Sequence, residues 1–224
     1  FDFSQGAGSV VNRGLMAAAN GGSINLIGGA VANQGTIIAD YGQVNLGAGQ
    51  TATIDFDGDG LIHFAIDGDL LSDASGTGVA VSNSGTIQAN GGQILLAARA
   101  AKNVFSEVVN NSGIIRAQGI DTSGGVVRLV GSGAVINSGL IDVSAVAAEQ
   151  QGGVIAIDGQ TVSHSGVLLA DAQSGDGGSI HLQAETDTAL ASADISAQAL
   201  TSGTGGHIEI LGYYKQKTAY EIVM

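Results

Sequence analysis

The stretch Val81–Leu96, VSNSGTIQANGGQILL, states a pattern that the chain repeats almost to its end. Apolar residues take every second place (Val81, Ile87, Ala89, Ile94, Leu96), which is the period of a strand and not of a helix. Asn83-Ser84-Gly85 and Asn90-Gly91-Gly92 interrupt the alternation. Each unit therefore reads as two or three short strands joined by tight corners that depend on glycine.

The Val-x-Asn-x-Gly frame recurs as Val10/Asn12/Gly14, Val31/Asn33/Gly35, Val109/Asn111/Gly113 and Val135/Asn137/Gly139. It continues as Val162/His164/Gly166 and, degenerately, as Ala189/Ala191/Ala193. The Asn position falls at 12, 33, 83, 111, 137, 164 and 191, so the steps are 21, 50, 28, 26, 27 and 27 residues. Periods of this size mean solenoids, propellers or arrays. A unit this short cannot supply a four-stranded propeller blade, and the Leu-x-x-Leu-x-Leu frame of a leucine-rich repeat is missing. The fold class expected is all-β, a right-handed parallel β-helix of about eight coils, with the 50-residue step hiding a coil or carrying an insertion. At the strand spacing of ~4.8 Å such a rod is roughly 40 Å long. The alignment also places Arg116 beside Asp142, and His181 beside Glu209, in successive coils.

Two segments depart from the pattern. In QTATIDFDGDGLIHFAIDGD, strand-like runs at Thr51–Phe56 and Leu61–Ile66 flank Asp57-Gly58-Asp59-Gly60, a strong hairpin signal. We expect an extra-helical β-hairpin near 51–66, with Phe56 and Phe64 covering one face of the rod. Residues 213–224 hold three of the four tyrosines and read as an atypical tail or cap on a β-helix spanning 1–212.

Composition narrows the function. With a net charge of −13 and only seven Lys and Arg, the surface repels phosphate backbones, so nucleic acid is not an expected partner. No basic membrane patch and no apolar run of about 20 residues is present, so membrane insertion is not expected either. Zero cysteine excludes disulfides and thiolate metal sites, and zero proline suits a backbone whose N–H groups are consumed by ladders. Without an initiator Met or a signal peptide at Phe1, the chain reads as a mature or excised piece.

The repeat units together with TIDFDGDGLIHFAI resemble the filamentous haemagglutinin-like exoproteins of bacterial two-partner secretion, over nearly all of Val10 to Gly212. The resemblance implies a secreted or cell-surface β-helical adhesin, with roles in attachment and biofilm. It also implies export through an outer-membrane β-barrel transporter, and a host receptor or polysaccharide as the later partner. The family's secretion domain carries an Asn-Pro motif, which a proline-free chain lacks or holds upstream of Phe1. A cysteine-free chain also suits threading through a pore from an oxidising compartment.

Among the polar constellations, Asn12, Asn33, Asn83, Asn111 and Asn137 form the most regular column. Stacked amides at a coil corner hydrogen-bond one to the next, and a structural ladder is the reading preferred over glycan binding. His164 extends the column as a tolerated substitution. Asp55, Asp57 and Asp59, followed by Gly60, match the start of a calcium loop, although the twelfth position is Ile66 where a bidentate Glu is needed. A solubilising hairpin turn is preferred to calcium, and no other cofactor is expected. The histidines at 63, 164, 181 and 207 have spacings that suggest no metal triad. The chain is not expected to be an enzyme: Arg99, Lys102, Arg116 and Arg128 are the central cations, and no Asp or Glu cluster outside the hairpin recurs beside them as a β-helical lyase or glycoside hydrolase needs. Those enzymes, and a calcium-dependent glycan-binding module, are the alternatives to an adhesin segment.

Overall fold

The structure, a computed structural model, describes residues 1–3, 8–55, 63–120 and 124–212. All regular structure among these residues is strand, wound as a parallel β-helix with three faces. The first face is built from Ser9–Asn12, Ala30–Asn33, Val79–Asn83, Glu107–Asn111 and Ala134–Asn137. The second is a sheet of seven three-residue strands, from Leu15–Ala17 to Asp194–Ser196. The third runs from Ser23–Gly28 through Gln43–Ala48, Gln93–Ala98 and Val126–Gly131 to His207–Gly212. Two long strands, Val154–His164 and Ser179–Leu190, belong to the third face at their beginnings and to the first at their ends. They join those faces into one twelve-stranded sheet.

Successive coils meet like on like because parallel register sets each residue above its counterpart. Val31, Val81, Val109, Val135 and Val162 form one inward column. Ile37, Ile87, Ile115, Ile141 and Leu168 form another, and Leu46, Leu96, Leu129, Ile157 and Leu182 a third. These side chains are all but fully excluded from solvent and make one continuous core. A single coil has no second layer to bury its apolar side chains against, so stability comes from each coil's two neighbours.

Seven coils stack among the described residues, one fewer than the expected count of about eight. Ala30–Asn33 pairs directly with Val79–Asn83, Thr36–Ile38 with Thr86–Gln88, and Gln43–Ala48 with Gln93–Ala98. The 50-residue step is thus one coil plus an insertion, and no disguised coil lies inside it. The seventh copy also needs correction. His164 pairs with Leu190, not Ala191: a register shift between Gly159 and Thr161 adds one residue to the later strand, and one more is needed before the second face. Three further residues, 191–193, then separate Leu190 from Asp194, whereas two separate His164 from Val167, and the second face returns to register at Leu168 and Ile195.

The insertion is an antiparallel hairpin of Thr51–Asp55 and His63–Asp67 with Thr51 opposite Asp67 and Ile54 opposite Phe64. Its turn, with Phe56, lies outside the described residues, as do residues 213–224. Phe64 and Ile66 lie against Gly47 on the third face, and Ile66 also reaches Gly49. Position 47 is glycine where the coils on either side carry Ile27 and Ala97, so the missing side chain makes room for the hairpin. Asp73 ties the return segment down, accepting bonds from the Ser75 amide (2.8 Å) and hydroxyl (2.6 Å) and from the Gly76 (3.0 Å) and Gly78 (2.7 Å) amides. Slight burial works against ionisation there, but these donors outweigh it and hold the carboxyl below its ordinary range.

Gly35, Gly85, Gly113, Gly139 and Gly166 stack at the corner between the first and second faces. A Cβ at any of them would collide with the carbonyl oxygen of the glycine one coil earlier. Close backbone approach, not a positive φ, requires glycine here. Gly113→Ala is expected to cost about 1–3 kcal/mol, read as a lower urea midpoint, because the neighbouring backbone has nowhere to go. Gly205→Ala, which would place its Cβ in open space, is expected to stay within about 0.5 kcal/mol of the parent.

Candidate functional site

The asparagine column stands inside the corner that the glycines tighten. Strand pairing aligns Asn12 with Asn33, Asn33 with Asn83, Asn83 with Asn111 and Asn111 with Asn137. Each Nδ2 donates to the Oδ1 of the next, at 2.8, 2.8, 2.8 and 2.7 Å in order. Asn33, Asn83, Asn111 and Asn137 are essentially inaccessible to solvent, and Asn12 is 9% exposed. Buried amides need partners, and the column supplies them internally. Such groups have no face to offer a glycan.

His164 takes the sixth place, completely buried, with Nδ1 3.0 Å from Asn137 Nδ2 and 3.1 Å from the Asn137 carbonyl oxygen. Burial pushes its pKa below 6.5, against the opposing effect of backbone bonds at Asn137 and Asp194. The neutral imidazole is therefore the form the corner favours. A shorter second amide pair, Asn45 Nδ2 to Asn25 Oδ1 at 2.7 Å, sits on the third face.

A further polar column escaped the sequence reading. At the exit of the second face, the residue after the repeat's Ala binds the backbone of the following coil. Asp40 accepts from the Asn90 amide (2.9 Å), Asn90 from the Gln118 amide (3.1 Å), and Asp171 from the Gln198 amide (2.7 Å). Its signal was available as Ala39-Asp40, Ala89-Asn90, Ala117-Gln118, Ala170-Asp171 and Ala197-Gln198, an alanine followed each time by Asp, Asn or Gln.

Arg116 and Asp142 are register partners, but Asp142 is 7% exposed and accepts from Gln118 Nε2 at 2.6 Å and the Ser144 amide at 3.0 Å. Arg116 lies on the second face and Arg128 on the third, so successive strands of one coil do not bring the two guanidiniums to one surface. Of the calcium candidates, Asp57 and Asp59 lie outside the described residues, and Asp55 is described only by its backbone pairing with His63.

His181 and Glu209 are register partners on the outside of the third face, with Nδ1 and Oε2 3.1 Å apart. His207, two residues before Glu209 on the same strand, brings its ring centroid to 5.6 Å from that of His181. Of the four histidines, whose spacings suggest no metal triad, the structure brings two, His181 and His207, close to Glu209. One ligand atom from each of His181, His207 and Glu209 lies within 4.8 Å of the others.

Beside the hairpin, the third face holds an open groove of about 510 Å³ between Ile66 on one side and Leu95, Ala97 and Val130 on its floor. Arg99, Arg128 and Glu185 supply its charges, and Arg99 pairs with Asp69 at 3.2 Å. Asp158 and Glu185 line an adjoining depression. Burial raises the Asp158 pKa, and nearby Arg128 and His181 offset part of that rise. Among the described residues no helix is long and apolar enough to cross a membrane.

Two substitutions probe the column. Asn111→Ala would leave Asn83 Nδ2 and Asn137 Oδ1 without their ladder partners in a dry corner. The expected cost is about 1–3 kcal/mol in denaturant unfolding. His164, with its folded pKa below the unfolded 6.5, binds protons more readily unfolded. Its contribution is full above about pH 6.5 and is lost as pH falls from there to its lowered folded value. His164→Asn is expected to flatten that part of the stability-pH profile while continuing the ladder.

No protein-family model matches the chain. A search of curated proteins likewise finds no match. Among solved structures, the chain is similar to the crystal structure of the HMW1 secretion domain from Haemophilus influenzae, with a TM-score of 0.65 and 23% sequence identity. The match covers 92% of this chain and 62% of that one, so the chain spans about three-fifths of the structure it resembles. At that identity the likeness is one of fold, and it agrees with the parallel β-helix described above.

Proposed function

We propose that this chain is a segment of a large secreted exoprotein of the two-partner type, carried across the outer membrane by a β-barrel transporter and folding outside as a rigid rod. The likeness in fold to the HMW1 secretion domain is the observation that carries this reading. The repeat-plus-hairpin pattern, read independently from the residues, points to the same class of protein. The physics of the rod is compatible with such a route. Every packing partner of a coil lies in the coil before or after it, so a chain emerging in order finds each partner in turn. Without cysteine or proline, neither disulfide exchange nor X-Pro isomerisation delays that sequence.

The finer part of the proposal is a non-enzymatic role in attachment at the cell surface, to host cells, other bacteria or matrix glycans. The fully buried amide column and the separation of Arg116 from Arg128 favour presentation over catalysis. The hairpin departs from the coil path, and its position over Gly47 and Gly49 sets it on the flank of the rod. The lyase or hydrolase reading makes the opposite prediction: depolymerisation of an acidic glycan that is lost in R116A or R128A.

Export provides the test. Placed behind a secretory signal peptide in a Gram-negative host, the chain is expected to reach the medium or cell surface only when its paired outer-membrane transporter is co-expressed. Retention in the periplasm with a functional paired transporter present would overturn the proposal. Equal release without any transporter would overturn it as well.

A further inference from the structure

From the outer surface of the last two described coils, we infer a transition-metal site formed by His181, His207 and Glu209, with Zn²⁺ the best-matched occupant. Strand geometry builds it. Residues 207 and 209 are two apart, so their side chains share a face. Parallel register puts His181 directly opposite Glu209 and Ser179 opposite His207, which sets the two imidazoles on a diagonal. That is a facial set of three donors on two neighbouring strands.

The distances suit a small ion. Bonds of ~2.0–2.1 Å to His nitrogen or carboxylate oxygen in a tetrahedral site put donors roughly 3.3–3.4 Å from one another. His181 Nδ1 and Glu209 Oε2 are already 3.1 Å apart, and the whole set lies within 4.8 Å. Only His207 needs to swing inward, and it is exposed and free of core packing. The Ala156 side chain, one coil below His181, leaves the neighbouring outward position open.

Two imidazoles with one carboxylate favour Zn²⁺ and its neighbours in the divalent series over Ca²⁺ or Mg²⁺, which prefer all-oxygen shells. Three protein ligands leave one position for water, so the site is open in form. Its consequence within the rod is mechanical. The ion would bridge coils six and seven from outside, adding a strong contact where the core columns have fewer neighbours: Ile208 and Ile210 are 43% and 40% exposed. An acidic chain also concentrates divalent cations at its surface. This inference is independent of the export reading, since it needs only the folded chain.

Titration of the folded chain with ZnCl₂ by calorimetry, paired with hydrogen exchange, tests it. One Zn²⁺ per chain is expected, with slower exchange across 207–211 and a Co²⁺ complex showing the visible absorption of a four-coordinate site. The double variant H181A/H207A keeps His63 and His164 and removes only surface side chains. It is expected to lose at least 100-fold in Zn²⁺ affinity and all metal-dependent protection, with unchanged exchange in the metal-free state. No Zn²⁺ binding by the parent, equal binding by the double variant, or the same protection of 207–211 by Ca²⁺ would each overturn the assignment.

Discussion

Every other feature answers to one distance, the spacing of roughly 4.8 Å at which one parallel strand hydrogen-bonds to the next. At that separation two coils present the same residue to the same place, and what one rung holds the adjacent rung must tolerate. Apolar columns follow because aliphatic side chains of similar shape nest at that interval. The amide column follows because Asn is the right length for its Nδ2 to reach the next Oδ1, at 2.7–2.8 Å throughout. The corners follow because a backbone turning at that spacing leaves no volume for a Cβ.

Most of this architecture was legible in the residues because its cause is periodic. Strand alternation, the Asn column and the Asp-Gly hairpin are each local signals, and repetition multiplied them. The coil count was harder. A step of 50 residues is consistent with two coils or with one coil and a long detour, and only the pairing of Gln43–Ala48 with Gln93–Ala98 decides between them. The one-residue displacement at Leu190 was invisible for another reason. Ala189, Ala191 and Ala193 preserve alternation, whereas the two places where the later coil gains a residue, at Gly159/Thr161 and between Leu190 and Asp194, are a matter of backbone path.

The His181–His207–Glu209 group was overlooked because linear spacing misleads in a solenoid. His181 and Glu209 are separated by 28 residues, which is one turn of this rod and therefore contact distance. The same logic made their pairing predictable, while His207 was considered only along the sequence. Conversely, Arg116 and Arg128 are near in sequence yet sit on different faces. In such a fold, separation modulo one coil matters more than separation itself.

The glycine corners have a kinetic meaning beyond their static fit. From Gly35 to Gly166 each corner fits its neighbour only as glycine, since a Cβ would strike the carbonyl beneath it, and the last described coil alone carries alanine there, Ala193. A coil laid down one residue out of phase would bring Ser84 or Thr86 to the place of Gly85, and the corner could not close. Alternating apolar residues alone discriminate weakly against a two-residue slip, which keeps the same side chains pointing inward. The glycines reject that error as well, because two places on from Gly85 is Ile87. They act as a proofreading step, checked once per turn as the rod grows, and allow each rung to be verified before the next begins.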